Sequence, residues 1–396
     1  MTFLDVADTE FDFTAAEVFA AQDADWYADS PVGAVVLRYA EAQELLRARR
    51  LDHGGDSYLH RNGIMSGPIH DWWGPMIVNR DGAEHRRLRG LVGRAFTPRT
   101  VERLRPFIRA TAQRLADDIA AKGDVDFVDA FANRLPLAVM CELLGVPTAD
   151  YDTFSGWTSD IGLIFGLAAG GDIPARVERA VAGLDGYVDD LIDEKAAHPT
   201  DDLISDMVKV WRAEATVTRE ELRNLLVTLV FGAHDNTRHQ LSNAVVTFAE
   251  HPAQWTKLRE RPDLASRAVD ETMRWRPSAN TVFRRATEDF GFRGMTVTAG
   301  TFLTIAVQTA QRDPRAYPGG DSFDITVDRR VPLLQFGGGP HYCLGAALAH
   351  VELEEALPIL ARMFGPPAVT ATVTWRPALG IHGPDELPLR FTPAGR

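Results

Sequence analysis

The chain has 396 residues, 45% of them hydrophobic and 24% charged, a balance ordinary for a folded enzyme and long enough for two sub-regions around one cofactor or for a single large domain. A formal charge of −13 argues against nucleic acid or an anionic membrane as partner. The first residues, Met1 to Asp8, carry no basic stretch and no long apolar run, so neither a signal peptide nor a membrane anchor is expected, and a cytoplasmic location is.

In chain order, Val35 to Leu37 and then Ala40 to Arg50 predict a short strand followed by a helix. Residues 54–79, rich in Gly, Pro, His and Trp, predict a long irregular loop of the kind that carries binding groups. From Asp81 to Pro98 a basic helix follows, with His85 and Arg89 four apart on one face, where two donors clamp an acidic group. Arg86, Arg87 and Arg94 lie on its other sides as a solvated face or a docking surface for an acidic electron donor. Helical patterns run over 101–122, 135–144 and 175–195, and the stretch from Phe154 to Asp172 reads as a helix, a loop and another helix. Cys141, inside an apolar helical run, takes a structural role.

Thr218-Arg219-Glu220-Glu221 fits a capping box, after which helical periodicity holds from Leu222 to Glu250 and stops at Pro252. About 32 residues at ~1.5 Å rise make a rod of roughly 48 Å. Its middle, Phe231 to His239, combines the small Gly232-Ala233 pair with His234, Asp235, Asn236 and Thr237, polar residues that need a task in an apolar rod. A further helix over 264–275 carries Glu271 and Arg274 at i and i+3, an ion-pair spacing. Beyond it, Pro277 to Arg285 turns into a strand, residues 296–307 read as a hairpin and a helix start, and residues 373–391 as short strands with a loop.

One of only two cysteines, Cys343, closes the glycine-dense turn Phe336-Gly337-Gly338-Gly339-Pro340-His341-Tyr342-Cys343-Leu344-Gly345, just ahead of an apolar helix. Free N–H groups and the macrodipole at that helix start favour an anionic sulfur. With no second thiol nearby, tetrahedral zinc and iron–sulfur clusters are disfavoured, whereas haem iron needs a single protein ligand.

This run, Phe-Gly-x-Gly-x-His-x-Cys-x-Gly, resembles the haem-binding loop of the cytochrome P-450 (haem-thiolate monooxygenase) family, soluble bacterial type. The resemblance spans nearly the whole chain through His85/Arg89, the central helix, Glu271/Arg274 and the Cys343 loop, in that order. It implies a mainly α fold: one haem-thiolate domain over 1–396, with a large helical body, a long central helix and a small β-region near 30–60, 280–310 and 373–391. It implies haem b with the Cys343 thiolate as axial ligand, donating electron density to favour O–O cleavage. His85, Arg89, Arg284 and His341 would offset the propionates, with Arg285 the fallback for Arg284, and Phe336, Gly337, Gly345 and Ala233 would frame the macrocycle. The family pattern small-Gly-x-acid-Thr places Asp235 as the acid. Asn236 stands where the alcohol belongs and Thr237 one residue later, so proton delivery would involve ordered water, Asp235, His234 or a substrate hydroxyl.

Glu271 and Arg274 would brace the haem loop, completed by Arg329 or Arg330. The 154–171 region would form the mobile roof of the substrate pocket, and Trp72, Trp73, Trp157, Val282 and Ile381 would line it. The chain has no flavin or nucleotide-binding region, so electrons would come from a ferredoxin and its reductase. The reaction would be oxidation of a small natural product in secondary metabolism, by oxygen insertion or by oxidative aryl coupling of an aromatic peptide or tryptophan-containing cyclic dipeptide, with a non-catalytic haem sensor or carrier as the reading from another class. A monomer is expected.

Overall fold

The computed structural model describes residues 2–61, 63–165, 172–214 and 216–395. Its helices are α1 (Ala16–Ala24), α2 (Tyr39–Leu46), α3 (Asp56–Arg61), α4 (Pro68–Trp73), α5 (Gly82–Ala95), α6 (Pro98–Lys122), α7 (Arg134–Leu144), α8 (Tyr151–Gly162), α9 (Ile173–Ala197), α10 (Leu203–Ala213), α11 (Arg219–Glu250), α12 (Pro252–Glu260), α13 (Ala265–Trp275), α14 (Val307–Ala310) and α15 (Ala346–Met363). Its strands are β1 (Tyr27–Ser30), β2 (Gly33–Val36), β3 (Leu51–Asp52), β4 (Asp124–Asp126), β5 (Thr281–Ala286), β6 (Phe290–Phe292), β7 (Met295–Val297), β8 (Phe302–Ala306), β9 (Ala368–Val369), β10 (Thr374–Trp375), β11 (Pro384–Glu386) and β12 (Pro388–Arg390). The chain is thus mainly α with small β regions, and no helix among the described residues is long and apolar enough to cross a membrane.

The axis of the body is α11. Thr218 starts it through a reciprocal capping box: its hydroxyl accepts from the N–H of Glu221, whose carboxylate accepts from the N–H of Thr218 at 2.8 Å. From Thr237 to Phe248 every residue is buried, which only a helix surrounded on all sides can sustain. Helices α7, α8, α9, α13 and α15 pack around it. On the outside, α6 lies along α15, where Arg105 and Arg109 bond to Glu354 and Glu355.

The five-stranded sheet has the order β1-β2-β8-β5-β3, with only the β2–β8 pair parallel. In β5 the side chains alternate, so Arg284 is buried while Arg285 faces the other way and pairs with Asp52 of β3 at 2.6 Å. That alternation sets Arg284 inside and Arg285 toward β3.

Three expectations are corrected. Residues 54–79 hold α3, α4 and a 3-10 turn at Ile77–Asn79, not one irregular loop; six-residue helices are too short for periodicity to register, although Ile69, Trp72 and Trp73 bury one face of α4. The hairpin near 296–307 is β6–β7, closed by Arg293 (φ 47°) and Gly294 (φ 87°), the left-handed pair a two-residue hairpin turn needs. Phe302 to Ala306 is instead a central strand buried along its whole length, and the helix begins at Val307. Helix α10 was not anticipated; Asp202 caps it by accepting from the N–H of Ser205 at 2.7 Å. Of the expected roof, residues 166–171 lie outside the described residues.

Candidate functional site

The glycine loop before α15 is shaped by its backbone. Gly337 (φ 71°) and Gly339 (φ 65°) occupy the left-handed region, and a side chain on Gly338 would meet Leu46 and Arg47 at 3.1–3.2 Å. The N–H of Cys343 donates to the carbonyl of Phe336 at 2.9 Å, closing the turn. The sulfur faces a cavity of about 380 Å³ between the loop and α11. Its exposed area is therefore interior area, which is why burial still governs its acidity. Burial pushes the thiol up, and the N–H groups of Gly345 and Ala346 together with Arg89 pull it down by less. The helix start acts in the expected direction but does not by itself make a thiolate; a bound cation would have to supply the rest.

One end of the cavity is lined by His53, His85, Arg89 and His341. His85 and Arg89 rise from α5, and Arg89 donates to the carbonyl of Tyr342 at 2.6 Å. The His85 and His341 rings lie 4.2 Å apart, and His341 and His53 lie 4.4 Å apart. Asp81 bonds His341 at 2.9 Å. Among the described residues the buried Arg284 donates only to the carbonyl of Phe283, and burial lowers it to about 10. Burial and then the neighbouring cations push His53 well down, and burial and then His341 and Arg89 take His85 to about 4. His53 was missed in the sequence, where only its place in a Gly- and His-rich stretch marked it; its buried Nε2 has no hydrogen-bond partner among the described residues.

The cavity floor is the middle of α11: Phe231, Gly232, Ala233, Asn236, Thr237 and Gln240 line it. A side chain on Gly232 would meet nothing within 4 Å, so a flat ligand can approach the helix there. The hydroxyl of Thr237 and the amide of Asn236 make no hydrogen bond to a described residue.

His234 and Asp235 are turned away from the cavity, contrary to their expected placement, because a helix carries neighbours about 100° apart. His234 donates from Nε2 to the carbonyl of Asn133 at 3.2 Å and accepts at Nδ1 from Thr158 at 2.8 Å; burial lowers it to about 4. Asp235 bonds Arg238 at 2.8 Å and Arg376 at 2.7 Å, and Arg376 also bonds Asp385 at 3.0 Å. Burial would raise its carboxyl, but Arg376 and Arg238 outweigh burial and hold it well below the usual range. Arg376, missed in the sequence, carries no local motif.

Glu271 and Arg274 form a buried two-bond pair at 2.7 and 2.8 Å. Arg329 completes it through Glu271 at 3.0 Å, whereas Arg330 turns to Asp328. Arg274 also donates to the carbonyls of Gly320 and Ser322 at 2.8 Å, and the group lies in a surface cleft beside Phe336 and Tyr342, behind the cysteine loop.

The expected pocket aromatics are corrected. Trp72 and Trp73 are buried in the helical core, and Trp157 lies against Gly183 of α9 and beside Phe154. Neither they nor Val282 and Ile381 line this cavity; its apolar wall comes from Ile77, Val78, Leu225, Leu229 and Phe231. The docking surface on α5 shrinks too, since Arg87 is engaged by Glu221 and Arg94 by Glu214, leaving Arg86 exposed.

The family profile described as Cytochrome P450 matches residues 169–365. The chain is 42% identical over 392 residues to luteothin monooxygenase of Streptomyces thioluteus, covering 99% of this chain and 96% of that one. It is 37% identical over 323 residues to mycinamicin IV hydroxylase/epoxidase of Micromonospora griseorubida, covering 79% of each. The crystal structure of CalO2 superimposes with a TM-score of 0.88 at 31% identity, covering 98% of this chain and 100% of that one.

Proposed function

The chain belongs to the cytochrome P450 family of monooxygenases, and on that premise we propose that it holds haem b through the sulfur of Cys343 and inserts oxygen into a small, largely apolar natural product. The observation that carries this reading is the cavity itself, with a single thiol on one wall and the Arg89 guanidinium with three imidazoles, His53, His85 and His341, at one end.

The residues present fit the group. Among the described residues, His53 Nε2 and Gln335 Oε1 are buried without hydrogen-bond partners at the cavity and Arg284 is bonded only to a neighbouring carbonyl, while Gly232 leaves open space above α11. His53, His85, Arg89, Arg284 and His341 would hold the propionates, and Cys343 the iron. Haem, when bound, supplies dioxygen activation, with thiolate donation favouring O–O cleavage. Asn236 and Thr237 would order water on the α11 side, while Asp235, ionised and clamped outside the cavity, keeps the helix in place. Ile77, Val78, Leu225, Leu229 and Phe231 would exclude bulk water and receive an apolar substrate.

The relatives named as a monooxygenase and as a hydroxylase/epoxidase favour oxygen insertion. Aryl coupling draws no support from Trp72, Trp73 or Trp157, which do not line the cavity. Electrons would come from a ferredoxin and its reductase. The test is a carbon-monoxide spectrum of the reduced, haem-loaded protein followed by turnover of terpenoid and polyketide candidates with that donor pair. A thiolate-type spectrum and a product heavier by one oxygen are expected. An imidazole-like spectrum in freshly reduced protein, or a product that has lost hydrogens without gaining oxygen, overturns the reading.

A further inference from the structure

Helix α11 meets the cavity along a stripe in which Leu225, Leu229, Gly232, Ala233 and Asn236 follow one another at helical spacing. The stripe is apolar or small until Asn236, where it turns polar. At ~1.5 Å rise per residue, the run from Leu225 to Asn236 is about 16 Å long.

Two polar groups that border the stripe are already committed. Thr228 donates to the carbonyl of Asn224 at 2.7 Å, and the Gln240 amide donates to the carbonyl of Arg276 at 3.2 Å while accepting from the N–H of Ser278 at 2.9 Å. On α11 that leaves Thr237 and Asn236. Thr237 is only 6% exposed, whereas Asn236 keeps intermediate exposure in the middle of the helical body, and that area is cavity area. Its amide carries two N–H donors and a carbonyl acceptor, none of them bonded to a described residue. Such a group can take either a carbonyl or a hydroxyl.

The ionisable side chains of the cavity stand on other elements: His53, His85, Arg89 and His341 at one end, Cys343 on the glycine loop and Glu352 on α15. The charged neighbours of Asn236 on α11, Asp235 and Arg238, are bonded to each other outside the cavity. An ionised substrate group beside Asn236 would therefore shed its hydration with no counter-charge from α11 to replace it. A neutral oxygen finds a hydrogen-bond partner there instead.

We propose that Asn236 is the specificity-determining residue of the site, anchoring a carbonyl or hydroxyl oxygen of an uncharged, elongated and otherwise apolar substrate. The hydrocarbon body of that substrate lies along Leu229 and Leu225, in the cavity that Ile77 and Val78 also line. The amide that would otherwise order water thus selects the functional group, and the apolar run selects the rest. This assignment deepens the haem-thiolate reading of the site and rests on it.

Haem-loaded wild type, N236L and N236A are titrated with limonene, perillaldehyde and perillate, which share one terpene skeleton and differ at a single carbon as methyl, aldehyde and carboxylate. The spin-state shift of the ferric protein gives each dissociation constant. The quantity read is the preference for perillaldehyde over limonene, which should fall roughly 10- to 100-fold in N236L and in N236A as a buried hydrogen bond is lost. Limonene itself should bind the variants about as tightly as wild type. Perillate should bind wild type about 10-fold or more weakly than perillaldehyde. N236A keeps the comparison open if N236L does not load haem. An unchanged preference, a uniform weakening of all three ligands as a merely structural role would give, perillate bound as tightly as perillaldehyde, or no response of wild type to perillaldehyde overturns the proposal. The carbon-monoxide spectrum of the reduced proteins should be thiolate-type throughout, and an imidazole-like spectrum in freshly reduced wild type overturns the haem-thiolate reading instead.

Discussion

Asp235 and Arg376 stand 141 residues apart in the chain and 2.7 Å apart in space, joining the middle of α11 to the segment between β10 and β11. Arg238 takes the other oxygen of the same carboxylate, so a buried anion is held between two guanidinium groups. That clamp removes Asp235 from the cavity and ties the carboxyl-terminal region to the central helix.

Removing the anion leaves Arg238 and Arg376 buried with too little negative charge. D235N is expected to cost about 3–5 kcal/mol. D385N, whose carboxylate is 43% exposed, is expected to cost under about 1 kcal/mol. Denaturant midpoints of the two variants measure both, and a cycle with R376Q gives the coupling.

The end of α8 rests directly on that carboxylate. A Cβ on Gly162 would come within 2.7 Å of Asp235 Oδ2, so G162A is expected to destabilise by about 1–3 kcal/mol through overpacking. On α9, a Cβ at Gly186 meets nothing within 4 Å, and G186A is expected to gain about 0.5–1 kcal/mol from helix propensity. Thermal melts of the pair should move in opposite directions.

Behind the cysteine loop, R274A strips Glu271 of its main partner and three carbonyls of their donor. A loss of about 3–5 kcal/mol and lower haem content are expected. R329A should do less and R330A almost nothing, since Arg330 is 87% exposed and bonds only Asp328. The ratio of haem to protein absorbance, with melting curves, orders the three.

The haem-free protein should lose stability as pH falls from about 6.5 toward about 4. His85 and His234 are held near 4 by burial first and then by neighbouring cations, against an ordinary 6.5. In that window the unfolded chain binds protons that the native chain refuses, so stability rises with pH there. H234N should flatten the slope of denaturant midpoint against pH between those limits. Glu352 acts in the opposite sense: above about 4.5 its unfolded carboxyl ionises while the native one does not, so E352Q should gain on wild type as pH rises.

Much of this protein was legible before any coordinates. The capping box at Thr218, the 32-residue α11, the Glu271/Arg274 spacing and the glycine loop ahead of Cys343 are written in residues a few positions apart, and local backbone chemistry acts over that range. Even there, α3 and α4 escaped detection, because six residues are too few to show a period.

What tertiary structure alone decided is which way side chains face and what charge they keep. The α11 pattern names His234, Asp235, Asn236 and Thr237 but not which of them meet the cavity, since that depends on α8, the carbonyl of Asn133 and Arg376 packing from elsewhere. Arg329 rather than Arg330 bonds Glu271, and Arg285 rather than Arg284 bonds Asp52, contacts that no local pattern announces. Glu352 looks in sequence like one more member of an acidic run. Only the burial that parts it from Glu354 and Glu355 pushes its carboxyl up, because the free energy of a charge is set by the medium and partners around it rather than by its neighbours along the chain.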